Sequence, residues 1–400
     1  MESKLIDRIA PLCQQLCKTV ESSPKKGSIV SGQREAIFQI ATKIANLAKP
    51  TDSIFTDVVV NLAEINALRL FLKWDAFRAI PLEGPISFTD LAQKLDAQVP
   101  LIARLARMLA STGVLLFAGP DHIEHSPRSR LLATDEGSDA SCRFTVFNDF
   151  PEPSLTPEFF EEYGRNEPVS KTHTPYAFAS GKPDQTVWEV IDKDAESRAI
   201  FLATMKKTQE SLRVTTPYDY SWVALENSKT GGRILLVDVG GAGGHTLKGI
   251  LRSSPEIPRE QCILQDRLEV IEEKKGKNDE ELLGVQLMSV DFHREQPVKG
   301  AAAYILRRCL HDYGDDECVG ILELLSQAMA ADSRLLIIES VLTQATPAFC
   351  YGVDLTMMTI SGKERTREDW EKLVSRSALR INRLLPGSGT ALGVIECFKS

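Results

Sequence analysis

The segment Ile234–Gly244, ILLVDVGGAGG, constrains the fold more than any other part of this 400-residue chain. Five of the six residues from Ile234 to Val239 are apolar, the composition of a strand covered on both faces in a parallel sheet. Asp238 sits near the strand's carboxyl end, and Gly240, Gly241, Gly243 and Gly244 follow at once. Glycines there let the backbone take positive φ and approach a ligand closely. A turn of this kind, ahead of a helix beginning near His245, is where open α/β sheets bind nucleotides.

Downstream, strands at Ile263–Gln265, Val285–Val290, Ala302–Leu306 and Leu335–Glu339 alternate with helices beginning near Leu268, Asp315 and Thr366, the rhythm of a parallel sheet with right-handed crossovers. Leu379–Leu384 and Ala391–Phe398, joined by PGSGT, read as an antiparallel hairpin. Residues 216–400 are therefore expected to form a Rossmann-like α/β domain with a mostly parallel sheet and an antiparallel terminal hairpin.

Upstream, the periodicity is helical. Leu5, Ile9, Leu12 and Leu16 share one face, as do Ile37, Ile40, Ile44 and Leu47, and a third helix from about Ser53 to Trp74 is expected to carry a stripe of Val58, Leu62, Ile65, Leu68 and Leu72. These helices are too apolar to stand alone and must pack together or against a partner chain. Ile86–Leu132 then reads as helix (Phe88–Leu95), helix (Pro100–Thr112, with Leu101, Leu105, Met108 and Leu109 on one face) and strand pair, a winged helix-turn-helix pattern. The second helix offers only Arg104 and Arg107 as cations and the net charge is −8, so no nucleic-acid partner is expected. A break at Thr215–Pro217 sets the domains at 1–215 and 216–400. Aromatic residues crowd the end of the first, from Phe144 to Trp188; most are expected in the core, with a few able to line an apolar pocket for a planar ligand.

No run approaches the roughly 20 apolar residues of a membrane span, and the first residues lack a signal peptide's apolar core, so a cytoplasmic protein with no membrane partner is expected. The eight cysteines are scattered, which favours reduced thiols; Cys13 and Cys17 have no nearby pair to complete a zinc site, and no metal is expected.

Two cofactor classes compete for the glycine turn. A nicotinamide fingerprint requires G-x-G-x-x-G, and from Gly241 the third position is Thr246. Asp238, just ahead of the turn, suits a ligand carrying ammonium and sulfonium charge better than a pyrophosphate. Asp266, about 25 residues on, can accept both ribose hydroxyls. Asp291 ends the next strand and can accept an adenine amino group, with Phe292 packing on the base. The reading favoured is S-adenosyl-L-methionine.

Six segments in order, VDVGGAGG, LQDRLEVI, SVDF, LRRCLHDYGDDECVGIL, IIESVL and SGKERTREDWEKL, resemble the small-molecule O-methyltransferases of the plant caffeate and flavonoid type and their fungal relatives. The resemblance covers nearly the whole chain. It implies a C-terminal methyltransferase domain, an N-terminal α-helical winged-helix dimerisation domain, a homodimer, and a small aromatic or enolic substrate from specialised metabolism. It implies that Gly240, Asp266, Asp291, Phe292 and Arg307 line the cofactor, with Arg307 where the family commonly has Lys. It makes His311 the general base, flanked by Glu339 and Glu364. The chemistry is sound without the family: a phenol of pKa near 10 needs its proton removed, and an imidazole of pKa near 6.5 held by carboxylates can take it.

Two positions depart from the family pattern. Tyr313 replaces the usual Trp, and Arg308 adds a second cation beside Arg307. Some fungal relatives use the same fold and cofactor for dehydrations or pericyclic cyclisations, so a cofactor-retaining cyclase is the first alternative and a winged-helix DNA-binding regulator the second. Retention of His311 favours methyl transfer.

Overall fold

The computed structural model of the chain describes residues 2–22, 31–50, 53–145, 151–193, 195–211, 218–230, 232–276, 279–344, 346–385, 387 and 392–400. Two compact units emerge, Met1–Glu124 and His125–Ser400. Residues 125–211, expected with the N-terminal domain, thus belong with the second unit; the break expected at Thr215–Pro217 lies outside the described residues. Among the described residues no helix is long and apolar enough to cross a membrane.

In the first unit, helices span Glu2–Glu21, Ser31–Ala48 and Ser53–Lys73. The third does not carry the single stripe expected. Its apolar residues lie all around the circumference, so Phe71 and Leu72 are buried at one end while Ile54, Phe55, Val58 and Leu62 remain exposed. Helices Phe88–Lys94 and Val99–Ser111 follow, the first capped by Ser87, whose Oγ accepts from the Asp90 amide at 3.0 Å. The second helix buries Ile102, Ala103, Ala106, Leu109 and Ala110 and leaves Leu101 exposed, a rotation from the face expected, because the small alanines allow the closer approach. A three-stranded sheet orders Ile86–Ser87, His122–His125 and Leu115–Phe117, with Ile86 opposite Ile123.

The second unit is built on a seven-stranded sheet. Its strands run in the order Leu379–Leu385, Gly393–Lys399, Arg334–Glu339, Ala303–Arg307, Leu236–Val239, Cys262–Asp266 and Gln286–Ser289. Every residue of Leu236–Val239 is buried, as a central parallel strand requires. The chain proceeds outward through Cys262–Asp266 and Gln286–Ser289, then crosses back to Ala303–Arg307 on the other side of the first strand. That reversal opens a crevice at the carboxyl ends of Leu236–Val239 and Ala303–Arg307. Among the strands of this sheet Gly393–Lys399 alone runs against the others, pairing antiparallel with Arg334–Glu339 on one side and with Leu379–Leu385 on the other.

A buried polar knot fastens this terminal hairpin. Glu396, 1% exposed, accepts from the Tyr218 hydroxyl, from Arg334 at 3.2 Å, from Asn382 at 2.6 Å and from Arg383 at 3.1 Å. Burial raises the carboxyl's pKa, but the hydrogen bonds from Tyr218, Asn382 and Arg383 and the Arg383 charge outweigh it and hold the group below the usual range. Within the aromatic region Phe159 packs with its ring centre 5.0 Å from that of Tyr163 and 5.9 Å from that of Phe178, while Trp188 lines a cavity; residues 146–150 lie outside the described residues.

Candidate functional site

The glycine turn takes its shape from residues on both sides of the crevice. Gly240 has φ 67°, and a Cβ there would stand 3.0 Å from Cys309 Sγ and 3.2 Å from the Phe292 ring. At Gly241 a Cβ would meet the Asp238 carboxylate at 2.6 Å. The turn is sewn to the neighbouring strand: the Gly241 amide donates to Gln265 O at 3.1 Å, and the Ala242 amide donates to Asp266 Oδ2 at 2.7 Å. Asp266 Oδ1 accepts from the Arg267 amide at 2.8 Å. Asp238 lies behind the turn, fully buried; the Leu247 amide bears on it, but no donor among the described residues meets either oxygen in full hydrogen-bond geometry. Burial pushes its carboxyl up to about 7, with the Arg307 charge and the Leu247 amide pulling the other way.

A cavity of about 710 Å³ opens onto this turn. Gly240, Ala242, Asp266, Asp291 and Phe292 form one wall; Arg308, Cys309, Asp312 and Tyr313 form another, with Trp188 and Ile360 contributing apolar surface. Asp291 is half-exposed and accepts from the His293 amide at 3.0 Å. Of the residues assigned to the cofactor from sequence, Gly240, Asp266, Asp291 and Phe292 line the cavity, whereas Asp238, Gly241 and Arg307 lie behind its wall. Arg308 rather than Arg307 lines the wall, beside Lys171 and Arg267, and its φ of 49° turns the backbone out of the strand. Sequence noted this residue as an addition and gave it no role.

His311, Glu339 and Glu364 converge although 53 residues separate the first from the last. Glu339 ends its strand, and its Oε1 accepts from the amides of Cys309 at 3.0 Å and Leu310 at 3.1 Å, fixing the turn that carries His311. Just beyond, Val341–Leu342 pairs in parallel with Arg365–Thr366, which brings Glu364 alongside. His311 Nδ1 then lies 3.1 Å from Glu364 Oε1 and 3.5 Å from Arg308 Nη2. A guanidinium only donates and a carboxylate only accepts, so the two contacts ask for opposite tautomers. The shorter one is to Glu364, which puts the proton on Nδ1 and leaves the Nε2 lone pair free. Donor atoms of the three residues lie within 4.8 Å of one another, but the Arg308 charge repels a second cation there, and the donor set suits a proton better than a metal ion.

Burial alone lowers the His311 pKa, but the charges of Asp312 and Glu339 and the hydrogen bond to Glu364 outweigh it and leave it raised, against the opposing charge of Arg308. Burial raises the Asp312 carboxyl, with His311 and Arg308 opposing.

Two further residues were not recognised in the sequence. Arg365, fully buried, donates to Leu310 O at 3.0 Å, to Tyr313 O at 3.0 Å and to Asp315 Oδ1 at 2.8 Å, clamping the His311 turn from below. Gly362 permits the close approach of its segment to His311 O. Both sit beside Glu364 in SGKER, so adjacency was the only signal, and their backbone partners are invisible in a sequence.

Residues 162–380 match the O-methyltransferase domain family. The methyltransferase cfoD of Aspergillus candidus is 32% identical, over 98% of this chain and 99% of its own length. Among solved structures, OxaC in complex with SAH and oxaline superposes with a TM-score of 0.83 at 21% identity, over 100% of this chain and 98% of its own. A structure described as a pericyclic reaction enzyme superposes with a TM-score of 0.79 at 22% identity, over 98% and 99%. At these identities the two structural likenesses speak for the fold.

Proposed function

Because this chain belongs to the O-methyltransferase domain family, we propose that it transfers the methyl group of S-adenosyl-L-methionine to a phenolic or enolic hydroxyl of a small specialised metabolite, with His311 as general base. The observation that carries this reading is the His311–Glu364 hydrogen bond at 3.1 Å, set directly behind a cavity lined by Gly240, Asp266 and Asp291.

The residues present fit that cofactor. Asp238 is a buried carboxylate that no donor among the described residues meets in full hydrogen-bond geometry, beside a turn that only glycine can form at Gly241. Asp266 and Asp291 offer carboxylates to hydroxyl and amino groups, and Phe292 offers a ring face for a base. When bound, the cofactor supplies a sulfonium-activated methyl group. The chain's own work is to hold the acceptor hydroxyl in line and remove its proton. Glu364 keeps the Nδ1 proton in place, and Glu339 keeps the turn rigid.

The proposal extends to the whole chain. Within the second unit, residues 216–400 serve as the cofactor-binding part and residues 125–211 cover the substrate, while the first unit serves as the helical winged-helix domain for dimerisation. The exposed Phe38, Ile54, Phe55 and Val58 support a homodimer through the first three helices; light scattering at twice the 44.3 kDa chain mass tests it, and a monomer refutes it. Arg107 holds its guanidinium 5.2 Å from the centre of the Phe88 ring, which supports a packing role for that helix over a nucleic-acid contact. A cytoplasmic location completes the reading.

The direct test is to incubate the protein with the cofactor and a panel of phenols and enols and to follow release of S-adenosylhomocysteine. Cofactor bound but unconsumed across the panel would overturn methyl transfer and point to a cyclase.

A further inference from the structure

Resting on the methyl-transfer reading, we infer that Arg308 selects the acceptor: its guanidinium binds an anionic oxygen of the acceptor other than the one that is methylated. Arg308 continues the strand pairing for one residue, its amide donating to Ile338 O at 3.1 Å, and then leaves the strand with φ 49° to line the cavity. That left-handed backbone is strained for any residue with a Cβ. Ala242, with φ 45°, and Ser361, with φ 67°, hold the same conformation on the same cavity. Strain of this kind collects where a fold presents groups to a ligand, and here the group presented is a cation.

The protein itself leaves this guanidinium underused. It carries five N–H donors. Nη2 lies 3.5 Å from His311 Nδ1, which is itself an N–H when it donates to Glu364, and Nη1 lies 3.8 Å from Glu364 Oε1, beyond hydrogen-bond reach. The side chain is 23% exposed, so water reaches only part of it. The other lysine and arginine side chains on the wall are differently placed: Lys171 Nζ is taken by Glu317 Oε1 at 2.6 Å, and Arg267 is exposed. Arg365 shows how this protein satisfies a guanidinium, with Leu310 O, Tyr313 O and Asp315 Oδ1 all within 3.0 Å. Arg308 keeps its donors for the cavity.

A planar fork of N–H groups suits paired oxygens, as in a carboxylate or the two oxygens of a 1,3-dicarbonyl enolate. A sulfonium charge enters the same cavity with the cofactor, which favours an acceptor that brings negative charge of its own. The guanidinium stays protonated throughout, so Arg308 moves no proton. Its part is affinity and orientation: the acceptor is held by its anionic oxygen while a second oxygen receives the methyl group.

The test uses matched acceptors with the full-length protein: a hydroxybenzoate against its methyl ester, and a cyclic 1,3-dione, ionised at the assay pH, against a simple phenol. Calorimetry on protein loaded with S-adenosylhomocysteine, which needs no turnover, is expected to show the anionic member of at least one pair binding about tenfold or more tightly than the neutral one. The pair that shows it tells a carboxylate from an enolate. Arg308→Gln is expected to remove the preference, and Arg308→Lys, which keeps the charge and loses the fork, to retain part of it, with cofactor Kd unchanged in both. Because Arg308 also stands beside His311, its loss changes kcat on every acceptor; the discriminating quantity is the ratio of kcat/KM within a pair, expected to fall by about 10- to 100-fold. No anionic preference in either pair with wild type, or a preference that survives in Arg308→Gln, overturns the inference while leaving methyl transfer standing. An Arg308-dependent preference in binding, with cofactor consumed on no acceptor, leaves the anion site standing and overturns methyl transfer.

Discussion

His311 and Glu364 meet at 3.1 Å between Nδ1 and Oε1, and both side chains are buried. The bond fixes which ring nitrogen can act as a base. His311→Ala is expected to lower kcat by about 10²- to 10⁴-fold with cofactor affinity nearly unchanged. Glu364→Gln places an amide that can donate to Nδ1 and so favour the wrong tautomer, and it is expected to lower kcat by at least about tenfold at constant cofactor Kd. Steady-state release of S-adenosylhomocysteine together with cofactor calorimetry checks both.

The raised pKa of His311 couples activity and stability to pH in opposite directions. A base must be deprotonated, so kcat is expected to rise with pH through a midpoint above the ordinary value of about 6.5. Stability runs the other way: a folded pKa above the unfolded one contributes stabilisation that is full below about 6.5 and is lost as pH rises through the folded value. The groups bearing on the ring are Asp312, Arg308, Glu339 and Glu364. Tm measured against pH for wild type and His311→Ala should converge on the alkaline side; parallel curves would refute the coupling.

Asp238 gives a second pH signature. Its carboxyl titrates at about 7 because it is buried beside the glycine turn, so without cofactor the fold bears the cost of neutralising or burying that charge. Asp238→Asn is expected to raise Tm of the cofactor-free protein by a margin that is constant above about 7 and shrinks as the pH falls toward the unfolded value of about 3.9. The same substitution is expected to weaken cofactor binding. A variant that is less stable at pH 8 would refute the first expectation.

At Gly241 there is no room for a methyl group, since Asp238 and Leu264 already fill the space. Gly241→Ala is expected to cost about 1–3 kcal/mol of stability through overpacking and to weaken cofactor affinity by displacing the turn. Denaturant unfolding and calorimetry check the two separately.

Glu396 fastens the terminal hairpin to Tyr218, Arg334 and Arg383. Glu396→Ala leaves the buried Tyr218 hydroxyl without its acceptor, while the partly exposed Arg334 and Arg383 can turn to water, and is expected to cost about 1–3 kcal/mol. In the wild type the carboxyl is held below its usual range, so its contribution is present above about 4.3 and is lost as pH falls through the folded value. Acid unfolding of wild type against Glu396→Gln reads that loss directly.

The strands and the cofactor turn were legible because they depend on local pattern: apolar runs of the right length ending in an acid or a glycine. Asp266, Asp291 and Phe292 could be placed on one crevice because each lies at or just past the carboxyl end of its strand. The helix Ala348–Met358, the parallel pair that carries Glu364 and the clamp by Arg365 had no local signature. Each depends on a partner far away in the chain. The first unit, too, ends at Glu124, earlier than the polar break at Thr215–Pro217 had implied, because packing density and composition do not change at the same place.

Sequence by itself determined that this chain builds a buried parallel sheet whose first strand runs into a turn only glycine can make. The tertiary structure decided which side chains at those strand ends face the cavity. Arg307 turns inward toward Asp238 while Arg308, with its left-handed backbone, faces out; His311 lies behind the wall while Asp312 stands on it. Neighbouring residues in a strand or tight turn point in opposite directions, and which one meets the ligand is set by register and by contacts from distant segments.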